Sequence, residues 1–109
     1  MENIYSLDDF HARIDNTDIL VVYFSNDACN VCKILKPKII ELLDRDFPEA
    51  KMVYIDTEKS PVISGQYRVF SIPTIDIYVM GKEHKRFSRN VVMHEFEEAI
   101  RKPYELLIS

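Results

Sequence analysis

The stretch Ile19-Leu20-Val21-Val22-Tyr23-Phe24, followed by the polar residues 25–28 and then by Cys29-Asn30-Val31-Cys32, decides the fold of this chain. The first six residues form a continuous β-branched and aromatic run, which is typical of a strand covered on both faces. Residues 30–45 carry apolar side chains at helical spacing, which predicts a helix. The two cysteines of the chain therefore lie where a buried strand passes into a helix.

A dithiol at this position is expected to be chemically reactive. The unpaired N–H groups and the dipole at a helix N-terminus stabilise a thiolate, which predicts that Cys29 is the exposed nucleophile. Cys32, one helical turn further on, is expected to be shielded and to resolve a mixed disulfide. Lys33 and Lys36 add positive charge nearby, whereas Asp27 opposes thiolate formation. The sequence leaves the sign of that balance open.

Length and composition indicate one ordinary globular domain over residues 1–109. Apolar residues make up 47% and charged residues 29% of the chain. The net charge of −4 argues against a nucleic-acid partner, which requires a basic surface. No apolar run is long enough for a membrane span, and residues 1–5 do not look like a secretory signal, so we expect a cytoplasmic protein. In that compartment, neighbouring cysteines are more often catalytic or metal-binding than structural.

The pattern along the chain predicts the element order βαβαβαββα. Strands are expected at 3–5, 19–24, 52–55, 75–80 and 84–88, and helices at 7–15, 30–45, 61–67 and after residue 90. Ser60 and Asn90 are expected to cap the last two helices, and Pro37 is expected to kink the second one. Strand–helix–strand alternation gives parallel pairs, and the final hairpin adds antiparallel strands. The fold class is therefore α/β, with a mixed sheet of about five strands and helices on both faces.

The strand, the Cys-x-x-Cys pair and the Pro-containing helix, together with the later motif at residues 71–74, resemble the thioredoxin family over nearly the whole chain. The resemblance implies that Pro73 is cis and faces the dithiol, and that the backbone of Ile72 pairs with the substrate. It also matches Pro37 to the family's helix-kinking proline and Asp56 to an acidic residue that ends the third strand.

The same resemblance implies a thiol–disulfide oxidoreductase that acts on protein disulfides or dithiols in electron transport and cell redox homeostasis. Its redox group is the Cys29–Cys32 disulfide, so no metal or organic cofactor is expected. Electrons are expected from a reductase or a small thiol. The protein is expected to be a monomer without nucleic-acid or membrane partners.

The chain also departs from the family pattern at several positions. Ala28 stands where tryptophan is usual, and Asn30-Val31 replaces Gly-Pro, which leaves the redox potential open. Tyr23 stands at the position of a buried aspartate, and Met52 replaces the lysine that often accompanies it. With an ordinary pKa of about 10, a tyrosine is not a base near neutral pH. We therefore expect slow resolution by Cys32 and lower disulfide-reductase activity than in a standard thioredoxin.

Two other functions compete with catalysis. One is a non-catalytic adaptor that holds a protein partner on the surface formed by Ala28, Ile72 and Pro73. The other is a redox sensor whose disulfide only switches a surface. Losing both the tryptophan and the buried aspartate is a change that an adaptor tolerates.

Other readings of single features stay open as well. The cysteines could be unreactive buried thiols or zinc ligands, although His11, His84 and His94 lack the spacing of a zinc module. The basic run at 82–89 is explained either by charges that block edge-strand pairing or by a docking patch for an acidic partner. Within that run, Ser88 matches the family's glycine near the end of the last strand.

Overall fold

A computed structural model describes residues 2–108 of the chain. Its elements are β1 (Glu2–Asn3), α1 (Leu7–Asn16), β2 (Ile19–Ser25), α2 (Asn30–Asp46), β3 (Lys51–Asp56), α3 (Pro61–Gln66), β4 (Thr74–Val79), β5 (Lys82–Ser88) and α4 (Met93–Leu107). The predicted element order is confirmed, with most boundaries within two residues. Within residues 2–108, no helix is both long and apolar enough to cross a membrane.

The five strands form one mixed sheet in the order β1-β3-β2-β4-β5. The strand β3 runs parallel to β1 and β2, whereas β4 runs antiparallel to β2 and β5. All seven residues of β2 are buried, as expected for a strand that is covered on both faces. The strand that leads to the cysteines is therefore the centre of the domain.

Alternate side chains of β2 enter two separate apolar cores, one on each face of the sheet. The first core, here the dithiol face, joins β2 to α2 and α4 and includes Ile19, Val21, Tyr23, Cys32, Leu35, Ile39, Phe96 and Ile100. The second core, here the opposite face, joins β2 to α1 and α3 and includes Phe10, Ile14, Leu20, Val22, Phe24 and Ile63. Helices cover both faces, as the sequence predicts.

Of the two predicted caps, Ser60 is confirmed by position and Asn90 is wrong. Ser60 is the N-cap residue of α3 and Pro61 begins the helix, but the Ser60 hydroxyl makes no capping bond and donates instead to the carbonyl of Ile4 at 3.5 Å. The helix α4 begins at Met93 and not next to Asn90, because the N–H of Arg89 donates to the Pro73 carbonyl (2.8 Å) and holds the chain at the end of the sheet. Val92 is the N-cap residue of α4 instead, and it makes no side-chain capping bond.

Candidate active site

The cysteines form a disulfide at the start of α2. Cys29 is the N-cap residue, its Cα lies 5.3 Å from that of Cys32, and its Sγ accepts the Cys32 N–H at 3.2 Å. Cys29 is half-buried, whereas Cys32 is 2% exposed and belongs to the core of the dithiol face. The two sulfurs therefore differ in access, with Cys29 on the outside.

A tight turn places Cys29 at the helix start. The side-chain oxygen of Asn26 accepts the N–H of Ala28 at 2.9 Å, and the Asn26 carbonyl accepts the N–H of Cys29 at 3.3 Å. Such side-chain-to-backbone bonds are a common reason for asparagine in turns. The turn leaves Ala28 exposed beside the disulfide.

The charges near Cys29 are arranged so that few of them oppose a thiolate. The first turn of α2 contains no acidic residue, and Lys33 follows Cys32 directly. The carboxylate of Asp27 lies 3.6 Å from the ammonium group of Lys59, which offsets its charge. Because Cys29 is the N-cap residue of α2, the positive end of the helix dipole also lies at its sulfur, where it favours a thiolate.

Tyr23 supports the dithiol from beneath but does not supply a base. Its side chain is fully buried, and its hydroxyl donates to the carbonyl of Cys32 at 2.7 Å. Burial, with a smaller contribution from Tyr54, raises the pKa of Tyr23 above its ordinary value. Tyr23 is therefore a packed core residue with a hydrogen-bonded hydroxyl.

The loop before β4 reaches the same end of the sheet. The Ile72–Pro73 peptide bond is cis, which is the isomer that the resemblance implies. Thr74 of β4 pairs with Phe24 near the end of β2. Pro73 therefore lies at the end of the sheet where β2 leads into the cysteine turn. Ile72 and Cys29 are both partly buried and pack against the core of the dithiol face.

Sequence reasoning missed the ion pair that supports this loop. The guanidinium of Arg86 donates to both carboxylate oxygens of the fully buried Asp76, at 2.7 and 2.9 Å. It also donates to the carbonyls of Tyr67 and Arg68, at 2.8 and 3.0 Å. These carbonyls end the α3 turn and begin the loop that carries Ile72, so Arg86 clamps the loop to the sheet. The available signal was an aspartate within the apolar strand β4.

The described residues offer one group of three potential metal ligands, and it contains neither cysteine. Within residues 2–108, the side chains of His94, Glu97 and Glu98 lie close together on α4. Arg101 already pairs with Glu97 at 3.1 Å, as expected for an exposed helix face with ion pairs.

Comparison with known proteins identifies the family. The thioredoxin family model matches residues 3–102. Thioredoxin of Chlamydia trachomatis is 33% identical over 79% of this chain and 82% of its own length. The thioredoxin-like protein YdfQ of Bacillus subtilis is 26% identical over 97% of this chain and 94% of that protein.

Solved structures support the same fold. Oxidised mitochondrial thioredoxin 3 of Saccharomyces cerevisiae matches with a TM-score of 0.85 and 24% identity, over 93% of both chains. The family model covers the five-stranded sheet of this chain and the cysteine pair at the start of α2, apart from the first residue of β1. The chain therefore belongs to the thioredoxin family of thiol–disulfide oxidoreductases.

Proposed function

We propose that this protein reduces or exchanges disulfides in protein partners, with Cys29 as the attacking thiolate and Cys32 as the resolving thiol. The observation that carries the proposal is the unequal burial of two bonded cysteines at a helix N-terminus. Cys29 caps the helix and is half-buried, while Cys32 is shielded within the core. A thiolate at that position is both stabilised and accessible.

The reaction balances without a cofactor. The Cys29 thiolate attacks one sulfur of the partner disulfide, forms a mixed disulfide and releases the first partner thiol. Cys32 then loses its proton and attacks the Cys29 sulfur, which releases the second partner thiol. Two electrons and two protons pass to the partner, and the protein is left with its Cys29–Cys32 disulfide. A reductase or a small thiol restores the dithiol.

The partner is proposed to lie on the surface formed by Ala28, Ile72 and Pro73. Ala28 is exposed beside the disulfide and Ile72 is only partly buried, whereas Pro73 is buried and supports them from beneath. The cysteine turn and the Pro73 loop lie at the same end of the sheet, which supports this assignment. The protein is further proposed to act as a cytoplasmic monomer with no metal, in electron transport and cell redox homeostasis.

Trapping separates this function from an adaptor. A Cys32→Ser variant is expected to accumulate mixed disulfides between Cys29 and disulfide-containing proteins, because the second attack is blocked. A Cys29→Ser variant is the matched control and is expected to trap none. Binding of partners by both variants that is unchanged by thiol blocking would instead identify an adaptor.

The second attack is proposed to limit the rate. The position that supplies a buried carboxylate in a standard thioredoxin is occupied by Tyr23, whose hydroxyl donates to a carbonyl and whose pKa is raised. Insulin reduction is therefore expected to be slower than with a thioredoxin that has the aspartate. Equal turnover by the two proteins would contradict this proposal.

The direction of electron flow follows from the reduction potential of the Cys29–Cys32 pair. A value of about −270 mV would make the protein a reductant, and one of about −120 mV would make it an oxidant. Equilibration with glutathione at fixed ratios, followed by mass analysis of alkylated protein, measures it directly.

A further inference from the structure

A groove of about 310 Å³ lies beside the dithiol, between the start of α2 and the connection from β5 to α4. Its walls are mostly aliphatic and unusually exposed. Val31, which directly precedes Cys32, is 59% exposed, Ile34 is 63% exposed and Val92 is 51% exposed. A partner whose sulfur is bonded to Cys29 therefore meets an apolar surface of this protein close to that bond.

The polar part of this groove is positive. Lys38 and Arg89 line it, and no acidic side chain does. Within residues 2–108, neither of these two side chains has a hydrogen bond or an ion pair. Among the other arginines, Arg13, Arg45, Arg86 and Arg101 are paired with carboxylates, and Arg68 is not paired within the described residues. In a chain with a net charge of −4, two unpaired cations beside the redox pair point to an anionic ligand.

The backbone of Arg89 strengthens this argument. Its φ angle is +65°, a left-handed conformation that glycine adopts without steric cost and that other residues rarely adopt. Ser88, the position matched to the family's glycine, is instead the last residue of β5. The N–H of Arg89 donates to the Pro73 carbonyl at 2.8 Å, which ties the groove to the loop of Ile72. A residue whose backbone is kept in a disfavoured conformation beside a reactive site is a candidate for a functional role of its side chain.

We propose that this groove determines which protein disulfides the enzyme attacks. It selects a partner segment in which an apolar residue next to the disulfide is followed by acidic residues. The apolar side chain covers Val31 and Ile34, and the carboxylates pair with Arg89 and Lys38. This inference rests on the proposed oxidoreductase function and adds the chemical class of its substrate.

A matched pair of peptides tests the proposal. Each is closed by one disulfide and has leucine after the second cysteine, followed by two glutamates in one peptide and two lysines in the other. The reduced protein passes two electrons to the peptide disulfide, and dithiothreitol regenerates the dithiol. We expect kcat/KM to be about tenfold higher for the glutamate peptide, and this ratio to fall as salt screens the charges.

Variants locate the preference. Lys38→Glu combined with Arg89→Glu is expected to reverse the peptide preference. Arg89→Gly, which suits the left-handed backbone, is expected to lower the ratio without disturbing the fold. Lys51→Glu is the matched control, because Lys51 is exposed at the start of β3, at the opposite end of the sheet. It is expected to leave the ratio unchanged.

Several results would overturn the proposal. Equal kcat/KM values for the two peptides would reject acidic selection while leaving the oxidoreductase function intact. Lys51→Glu changes the net charge by −2 and the double variant by −4, so a change of the ratio in Lys51→Glu about half as large as in the double variant would assign the effect to net charge. A dimer in light scattering that the double variant disrupts would assign the groove to a second copy of the chain. If neither peptide forms a mixed disulfide with Cys29, the proposed function itself fails and the selectivity with it.

Discussion

Two buried polar contacts support the site from opposite faces of the sheet, and they differ in kind. On the dithiol face, Tyr23 donates a neutral hydrogen bond to the Cys32 carbonyl. On the opposite face, Asp76 pairs with Arg86, which also holds the two carbonyls that precede the Pro73 loop. In the central pairing of β2 and β4, Tyr23 is opposite Ile75 and Val22 is opposite Asp76, which places the two contacts on different faces.

The difference separates reactivity from positioning. The buried members of the core on the dithiol face are apolar residues and tyrosines, so the helix start and the surface charges set the thiolate. The buried ion pair lies across the sheet, where it fixes the loop without placing a carboxylate beside the sulfurs. The dithiol face also contains the buried carboxylate of Asp56, opposite Ser25, but this group accepts the N–H groups of Glu58 and Lys59 at 2.9 and 3.0 Å. Among the contacts that the structure describes, no carboxylate is bonded to Cys32.

Arg86→Ala should have the largest effect on stability. It leaves the fully buried carboxylate of Asp76 without its partner and frees the carbonyls of Tyr67 and Arg68. We expect the free energy of unfolding to fall by about 3 kcal/mol, the range for breaking a buried ion pair. Urea unfolding followed by circular dichroism measures the change.

An exposed ion pair provides the control. Arg101→Ala removes surface pairs on α4 and should change the free energy of unfolding by less than about 1 kcal/mol. Comparable losses in Arg86→Ala and Arg101→Ala would show that the buried pair contributes no more than a surface one. The clamp interpretation would then be wrong.

The pH dependence of the unfolding free energy should reveal the titration of the buried Asp76 carboxyl. Burial raises the pKa of Asp76 above its ordinary value, and Arg86 opposes the shift without cancelling it. As the pH rises from the ordinary carboxyl range through this raised pKa, the folded protein keeps a proton that the unfolded chain has lost. The contribution of Asp76 to stability is therefore present in acid and falls as the pH rises.

Asp76→Asn isolates this effect, because asparagine does not titrate. The difference in unfolding free energy, wild type minus Asp76→Asn, is expected to decrease with rising pH. In an Arg86→Ala background, loss of the guanidinium raises the pKa of Asp76 further, so the decrease should extend to higher pH. A difference that grows with pH would mean that the pKa of Asp76 is lowered in the folded protein.

Most of the fold was predictable from local patterns. The continuous apolar run of β2, the helical spacing of α2 and the hairpin at Gly81 each fix an element without knowledge of its neighbours. The position of the cysteine pair follows from the same local order, because strand, turn and helix are consecutive in the chain.

What was missed depends on register and on contacts between distant residues. Arg86 lies in a strand of charged residues, and its pairing with Asp76 requires the β4–β5 register, which contains an irregularity between Ile77 and Tyr78. Arg89 has a left-handed backbone, and its N–H donates to the Pro73 carbonyl. No local sequence pattern encodes this bond between distant residues. Sequence periodicity specifies which face a residue occupies but not which partner it meets there.

Of the changes at the two buried contacts, Tyr23→Phe should have the smallest effect, and it gives the sharpest test of the contrast between the two faces. It removes one neutral hydrogen bond and keeps the ring in the core, so we expect a loss of about 1 kcal/mol in unfolding free energy. Because the hydroxyl donates to the carbonyl of Cys32 and not to its sulfur, the pH dependence of Cys32 alkylation in the reduced protein should not change. A shift in that profile would place Tyr23 in proton transfer to the resolving thiol. Tyr23 would then take part in the chemistry of the dithiol, and the interpretation of the two buried contacts as support alone would fail.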